Sequence, residues 1–102
     1  MAAISRKLRS CADGKLLFWC PGCDGPHGLQ VGHGPGPRWE WNQDADAPTF
    51  SPSVLVSYEH AGVEVRCHSY VRDGRIQFLD DCTHALKGQT VELPDFDTGL
   101  TT

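Results

Sequence analysis

Apolar and polar residues alternate along much of the chain with the period of two that is typical of β-strands. The clearest alternation covers residues 63–72, where one face carries Val63, Val65, Cys67, Ser69 and Val71. The other face carries Glu64, Arg66, His68, Tyr70 and Arg72. Similar runs predict strands over residues 15–19, 28–31, 38–42, 53–58 and 90–93. The pattern therefore predicts a mostly β fold, a small α+β protein with a single-domain antiparallel sheet.

A tight turn sets the register of two of these strands. Residues 73–74 are Asp-Gly, which is the sequence signal of a two-residue hairpin with a type I′ turn. Counting back from this turn pairs Val71 with Ile76 and Ser69 with Phe78. The hairpin is therefore predicted in both position and register.

The same count brings residues 80–84 beside Cys67 and His68. The segment that follows, residues 82–88, begins after two aspartates and ends in Gly88. Aspartate is a common N-cap and glycine a common C-cap, so this segment is predicted to form one short helix.

Length and composition indicate one domain. The chain has 102 residues, which is the usual size of a single folding unit. Residues 1–14 are expected to be a flexible basic lead-in that ends in an Asp-Gly turn, and residues 95–102 a polar tail. A single β-rich domain is thus predicted to span residues 15–94.

Charge and cysteine usage narrow the function classes. The net charge is −4 and the basic residues are scattered, so nucleic-acid binding is not expected. No run approaches the roughly 20 apolar residues of a membrane span. The five cysteines are an odd number, and no signal peptide is evident, so we expect reduced thiols and a cytoplasmic location in a bacterial cell.

The most specific motif is the Cys-Pro-Gly-Cys knuckle of residues 20–23. Two thiols at this spacing are typical of a zinc site, which needs four protein ligands. Cys20 and Cys23 supply two, and His27 and Cys67 are the candidates for the others. A redox pair is the alternative, but the prolines around the motif do not permit the helix that a thioredoxin-type pair begins. Cys67 and Cys82 can each be read as a ligand or as a small core residue.

A second group of residues could support catalysis. His68 is expected near Asp81, and His84 follows Asp81 by three residues. A carboxylate that orients an imidazole serves general-base catalysis, but it also serves the outer shell of a metal site. Ser51 and Ser53 are nucleophile candidates if a histidine lies within hydrogen-bond reach, and otherwise they are turn residues.

Several blocks of sequence occur together in one order. They are Phe-Trp-Cys-Pro-Gly-Cys at residues 18–23, Trp-Glu-Trp-Asn at 39–42, Pro-Thr-Phe-Ser-Pro-Ser at 48–53, Cys-His-Ser-Tyr at 67–70 and Asp-Cys-Thr-His-Ala-Leu at 81–86. With these blocks, residues 18–94 resemble a family of small zinc-binding phage and prophage proteins of unassigned function. Relatives are encoded in bacterial ubiquitin-like (Bub) operons beside E1-like and E2-like proteins.

The resemblance implies a zinc-binding β-rich domain. Members in Bub operons occupy the place of a processing or deconjugating peptidase, with serine-type chemistry as one option. The implied metal ligands are Cys20, Cys23, His27 and Cys67. The implied catalytic cluster contains Ser51 or Ser53 together with His68, Asp81 and His84.

Two functions follow as hypotheses. The first is a zinc-stabilised hydrolase, a peptidase that acts on ubiquitin-like or other protein substrates, with a Ser/His/Asp site separate from the metal. In a variant, His68 and His84 bind the zinc and a metal-bound water is the nucleophile. The second is a non-catalytic module that engages a host protein through the face that carries Trp39 and Trp41 or through the proline-rich loop. The sequence predicts no oligomeric state.

Overall fold

The computed structural model describes residues 1–32 and 34–97, and it contains two antiparallel β-sheets. The first sheet has the order β1-β2-β3-β4, formed by Ala2–Ala3, Leu8–Ser10, Leu16–Cys20 and Gly25–Leu29. The second has the order β5-β6-β7-β8-β9, formed by Glu40–Trp41, Phe50–His60, Val63–Arg72, Arg75–Phe78 and Thr90–Glu92. Both sheets follow chain order, so neighbouring strands are joined by short turns or loops. The mostly β, antiparallel prediction is confirmed.

The short helix predicted over residues 82–88 is wrong, because this segment forms turns. Two of its backbone donors are used outside the segment: the N–H of Thr83 donates to the carbonyl of Arg66 at 2.9 Å, and the N–H of Gly88 donates to that of Phe78 at 3.0 Å. These bonds to β7 and β8 replace the local bonds that a helix would need. The described residues contain almost no helix.

The N-terminal segment belongs to the first sheet. Residues 1–14, expected as a flexible lead-in, contain β1 and β2, and Leu8 is fully buried. The Oγ of Ser5 accepts the backbone N–H of Leu8 at 3.0 Å and donates to the carbonyl of Ala45 at 2.7 Å. The basic residues around Leu8 make the segment look like a flexible lead-in by composition, although Leu8 itself lies in the core. Of the predicted tail, residues 98–102 lie outside the described residues.

The hairpins place the chemically interesting residues. β7 pairs with β8 so that Val71 faces Ile76 and Ser69 faces Phe78, as the Asp-Gly turn predicted. In the first sheet, Cys20 pairs with Gly25 and Phe18 with His27. The return strand therefore starts earlier than expected, and residues 21–24 alone form the turn.

The core lies between the two sheets. Phe18 of β3 stacks on Phe50 of β6 with ring centroids 6.3 Å apart, and the surrounding apolar residues of both sheets are almost fully buried. Burial of such side chains is the main favourable contribution to folding. No helix in the described part of the chain is long and apolar enough to cross a membrane.

Candidate active site and metal centre

Two dipeptides position four of the candidate residues. Cys67-His68 lies on β7, and Asp81-Cys82 lies in the loop after β8. Because side chains alternate along a strand, Cys67 points into the core and is 1% exposed, whereas His68 lies on the outer face. In the loop, Cys82 is buried and Asp81 is exposed. Each dipeptide thus contributes one thiol to the interior and one polar side chain to the surface.

A serine, a histidine and a carboxylate form a hydrogen-bonded chain on the outer face. The Oγ of Ser53 is 2.9 Å from Nε2 of His68, and Nδ1 of His68 is 3.1 Å from Oδ2 of Asp81. The carboxylate accepts a hydrogen bond from the N–H at Nδ1, so Nε2 is left as the acceptor for the Ser53 hydroxyl. This is the arrangement by which a histidine activates a serine nucleophile.

The backbone around Ser53 is held from a neighbouring segment. Ser53 lies where the pairing of β6 with β7 is irregular, between Phe50 and Val54. The indole N–H of Trp39 donates to the carbonyl of Ser53 at 3.2 Å. The backbone of Ser53, directly before the regular pairing that starts at Val54, is therefore held by the Trp39 side chain and not by a strand partner.

The Cys82 thiol holds the backbone of His68. Its Sγ accepts the N–H of His68 at 3.2 Å and donates to the carbonyl of the same residue, also at 3.2 Å. The N–H of Leu79 donates to that carbonyl as well, at 2.9 Å. These contacts tie the loop that carries Asp81 to the strand that carries His68.

The structure separates the other catalytic candidates from this chain of hydrogen bonds. Ser51 pairs with Glu40 in β5 and lines a different cavity of about 240 Å³. His84 lies under the knuckle: its Nδ1 accepts the N–H of Leu86 at 3.2 Å, and its ring packs edge-on against Phe78 at 4.5 Å. Neither residue is hydrogen-bonded to His68.

A compact group of thiols and one imidazole lies between the two sheets. The candidate ligand atoms of Cys20, Cys23, His27 and Cys67 all lie within 4.8 Å of one another. The register of β3 and β4 explains the first three, since Cys20 and His27 lie on the same buried face. Cys67 comes from the other sheet. These residues could hold a metal ion between the two sheets.

Two features of this group fit a metal. The sulfur atoms of Cys20 and Cys67 are 3.8 Å apart, and in a tetrahedron with Zn–S bonds of about 2.3 Å neighbouring sulfurs are about 3.8 Å apart. The Nε2 of His27 is buried and has no hydrogen-bond partner among the described residues. An unpaired buried nitrogen is costly, and coordination of a metal would satisfy it.

The three thiols of this group differ in pKa. The hydrogen bond from Cys67, together with weaker contacts with His27, lowers the pKa of Cys20 to about 4 against the opposing effect of burial. Burial, and then the charge of Cys20, raises the pKa of Cys23 to about 11. The hydrogen bond with Cys20 raises the pKa of Cys67. One thiolate is thus favoured, and further thiolates need a nearby cation such as a metal.

A second group shares one member with the first. Cys67, Cys82 and His84 also have ligand atoms within 4.8 Å of one another. The Nδ1 of His84 accepts the N–H of Leu86, and its buried Nε2, like that of His27, has no hydrogen-bond partner among the described residues. The first group offers four candidate ligands and the second offers three, and a structural zinc site needs four, which favours the first group as the metal centre. Both nitrogens of His68 are engaged with Ser53 and Asp81, so the variant in which His68 and His84 bind the metal lacks a free nitrogen on His68.

Two contributors were missed in the sequence. The sequence places Trp39 only on the face that would engage a host protein, and nothing in its alternation indicates a bond to the carbonyl of Ser53. Cys82 was interpreted as a ligand or core residue. Its signal was the hairpin register, which places residues 80–84 beside Cys67 and His68.

Comparison with known proteins adds one finding. Residues 3–79, more than half of the chain, match the model of the family described as "Bacterial ubiquitination-like system serine protease (BubE)". The match includes both Ser53 and His68. No curated protein and no solved structure matches the chain.

Proposed function

Because the chain belongs to the BubE family, we propose that it is a serine protease that cleaves a ubiquitin-like protein from an attached polypeptide. The observation that carries this proposal is the hydrogen-bonded chain from Ser53 through His68 to Asp81. The family description supplies the reaction class and the pathway. The geometry supplies candidates for each role.

Ser53 is the proposed nucleophile and His68 the general base. The Oγ of Ser53 attacks the substrate carbonyl carbon, and its proton passes to Nε2 of His68. Asp81 keeps the histidine in the required tautomer and stabilises the imidazolium that forms. His68 then gives the proton to the departing amine nitrogen, which leaves the acyl group on Ser53.

Hydrolysis of this acyl-enzyme returns the protein to its starting state. A water molecule loses a proton to Nε2 of His68 and attacks the ester carbonyl. The C–O bond to Ser53 breaks, and His68 returns the proton to Oγ. The products are a free carboxylate on the ubiquitin-like protein and a free amine on its former partner.

A zinc ion held by Cys20, Cys23, His27 and Cys67 is the second part of the proposal. Three thiols and one imidazole are the donor set of a structural zinc site. With all four positions filled by protein, such an ion stabilises the fold and leaves no position for substrate. His27 and the thiols therefore have a structural role, separate from the outer face where Ser53 lies.

The test compares the two serines of the Pro-Thr-Phe-Ser-Pro-Ser block. The substrate is the ubiquitin-like protein of the same system with a fluorescent reporter fused to its C-terminal tail. Ser53→Ala should lower kcat by about 1,000-fold or more, since the nucleophile is removed. Ser51→Ala should keep kcat within about twofold, because its side chain is not hydrogen-bonded to His68.

A covalent probe reads the same chemistry without the natural substrate. A fluorophosphonate should label Ser53 in the parent protein and leave Ser53→Ala unlabelled, as determined by mass spectrometry of the labelled peptide. If neither labelling nor cleavage depends on Ser53, the serine mechanism is wrong. A protein that binds the reporter but never cleaves it would support the non-catalytic module.

A further inference from the structure

We propose that the free edge of β6, over residues 55–59, binds an extended segment of the substrate polypeptide as an additional β-strand. The proposal rests on the proposed function, because it explains how a substrate reaches Ser53. It adds the class of segment that the site accepts: a flexible tail with a free backbone, as distinct from a helix or a folded loop.

The edge is free because β5 is much shorter than β6. β5 pairs with β6 only at Ser51 and Phe50, whereas β6 continues to His60. Among residues 1–32 and 34–97, no strand pairs with the later part of β6 on this side. The ladder to β7 runs along the opposite side of β6, from Val54 to His60.

The direction of the backbone groups follows from the neighbouring hairpin. The carbonyl and N–H of His68 face away from β6, toward Leu79 and Cys82. Its antiparallel partner Leu55 therefore also turns its backbone groups away from β7. The carbonyl of Ser53, which accepts the indole N–H of Trp39, points to the same free side.

Alternation extends this pattern along β6. Successive residues of an edge strand turn their backbone groups to opposite sides, so Ser57 and Glu59 match Leu55. Each offers one N–H and one carbonyl to a partner strand. Ser53 lies at the start of this row, which aligns a bound strand with the proposed nucleophile.

The opposite edge of the same hairpin is covered. Arg66 donates its N–H to Oγ1 of Thr83 at 2.9 Å and accepts the N–H of Thr83. His68 is held in the same way by Leu79 and Cys82. The loop after β8 therefore satisfies β7 beyond the end of β8, and β6 has no counterpart among the described residues.

Most of the free edge lacks the usual protection. Exposed edge strands are commonly shielded by charged side chains, proline or a bulge, but residues 54–58 read Val-Leu-Val-Ser-Tyr, and the first charge is that of Glu59 at the far end. Leu55 is 55% exposed and lies directly opposite His68. An unshielded, β-prone edge beside a nucleophile is the surface that strand addition uses.

Strand addition also selects the occupant. It recognises backbone groups, so the bound segment must be extended and free of its own secondary structure. The exposed apolar side chains of Leu55 and Tyr58 would favour an apolar residue in that segment. A second copy of this chain, paired through the same edge, is the competing occupant and an outcome of the test.

The first experiment blocks the edge without changing the catalytic side chains. Ser57→Pro removes one outward N–H, and proline is tolerated at such edge positions. We expect it to raise the KM for the fluorescent reporter fusion about tenfold, from the lost bond and the steric block. The matched control is Thr90→Pro at an outward position of β9, the far edge of the same sheet, which should keep KM within about twofold.

The second experiment observes the edge directly. Ser53→Ala, which can bind the reporter fusion without cleaving it, is studied by amide hydrogen exchange with and without the fusion. Exchange should slow about tenfold or more at Leu55, Ser57 and Glu59, and not at Thr90. Equal KM values for the two proline variants, or no protection of these three amides, would overturn the proposal.

The remaining outcomes are distinguished by controls. Protection that grows with protein concentration, without the reporter, would assign the edge to a second copy and overturn substrate binding there. Fluorophosphonate labelling of Ser53 in the parent protein tests the proposed function separately. Labelling combined with an unprotected edge would keep the serine protease and reject strand addition.

Discussion

At the scale of single residues, His68 is where the contacts of the site meet. One ring nitrogen faces Ser53 and the other faces Asp81, while Cys82 holds its backbone. The imidazole is only partly exposed, at 25% of its side chain. A ring constrained at both nitrogens has one useful orientation, which is what a general base requires.

Asp81 should therefore matter through the orientation and tautomer of His68. Asp81→Asn keeps the size of the side chain but presents an amide to Nδ1, so kcat should fall about 100-fold or more while KM changes little. The matched control is Asp80→Asn, whose carboxylate lies near Gly88. Steady-state cleavage of the reporter fusion measures both. Equal losses in the two variants would mean that Asp81 acts through net charge alone.

At the scale of elements, the loop after β8 joins the two halves of the site. Asp81 faces outward to His68, and Cys82 faces inward beneath it. The hairpin register correctly predicted that this loop lies beside Cys67 and His68, because an Asp-Gly turn determines pairing locally. The prediction of a helix over residues 82–88 was wrong because hydrogen bonds to β7 and β8 replace bonds that a helix would make within the segment. Capping residues carry no information about such long-range bonds.

Cys82 should act as a positioning residue for His68. Cys82→Ala removes a donor and an acceptor, so we expect kcat to fall about tenfold with little change in KM. Cys82→Ser keeps both functions and should restore most of the rate. Metal content per chain, measured in parallel, should be equal in both variants. If both lose the metal along with activity, Cys82 is a ligand and the positioning role is rejected.

The hairpin of β3 and β4, with its turn at residues 21–24, packs on His84 at Gly22. A Cβ on Gly22 would lie 2.3 Å from Cε1 of His84, whereas a Cβ on Gly25 would have its nearest neighbour at 3.9 Å. Gly22 is therefore required by close packing on the imidazole. The sequence presented this glycine only as part of a turn, because His84 is more than sixty positions away in the chain.

Gly22→Ala should destabilise the protein by about 1–3 kcal/mol through overpacking. Gly25→Ala, in the same hairpin, should change the free energy of unfolding by less than about 1 kcal/mol. Urea denaturation measures both values. The double variant Gly22→Ala/His84→Ala isolates the contact: alanine at position 22 should cost less once the ring is gone. Additive costs would show that the two residues do not press on each other.

At the scale of the whole molecule, the candidate metal centre connects the two sheets. Cys20, Cys23 and His27 belong to the first sheet or its turn, and Cys67 belongs to the second. All four were predicted as metal candidates from the knuckle and the resemblance. The sequence could not predict that they meet between two sheets. Pairing rules act within a sheet, whereas the packing of one sheet on another depends on the whole core.

Removal of the proposed zinc should therefore weaken the protein globally and also reduce activity. A strong chelator should lower Tm, and added zinc should restore it in a concentration-dependent way, because an ion bound only to the folded state stabilises that state. Cleavage should fall in parallel, since Cys67 and His68 are adjacent on β7. Metal analysis of two variants makes the test specific. Cys20→Ser should lose the ion. Cys11→Ser should retain one ion per chain, because Cys11 belongs to neither group of candidate ligands. A chelator that leaves Tm and cleavage unchanged would show that packing alone joins the sheets.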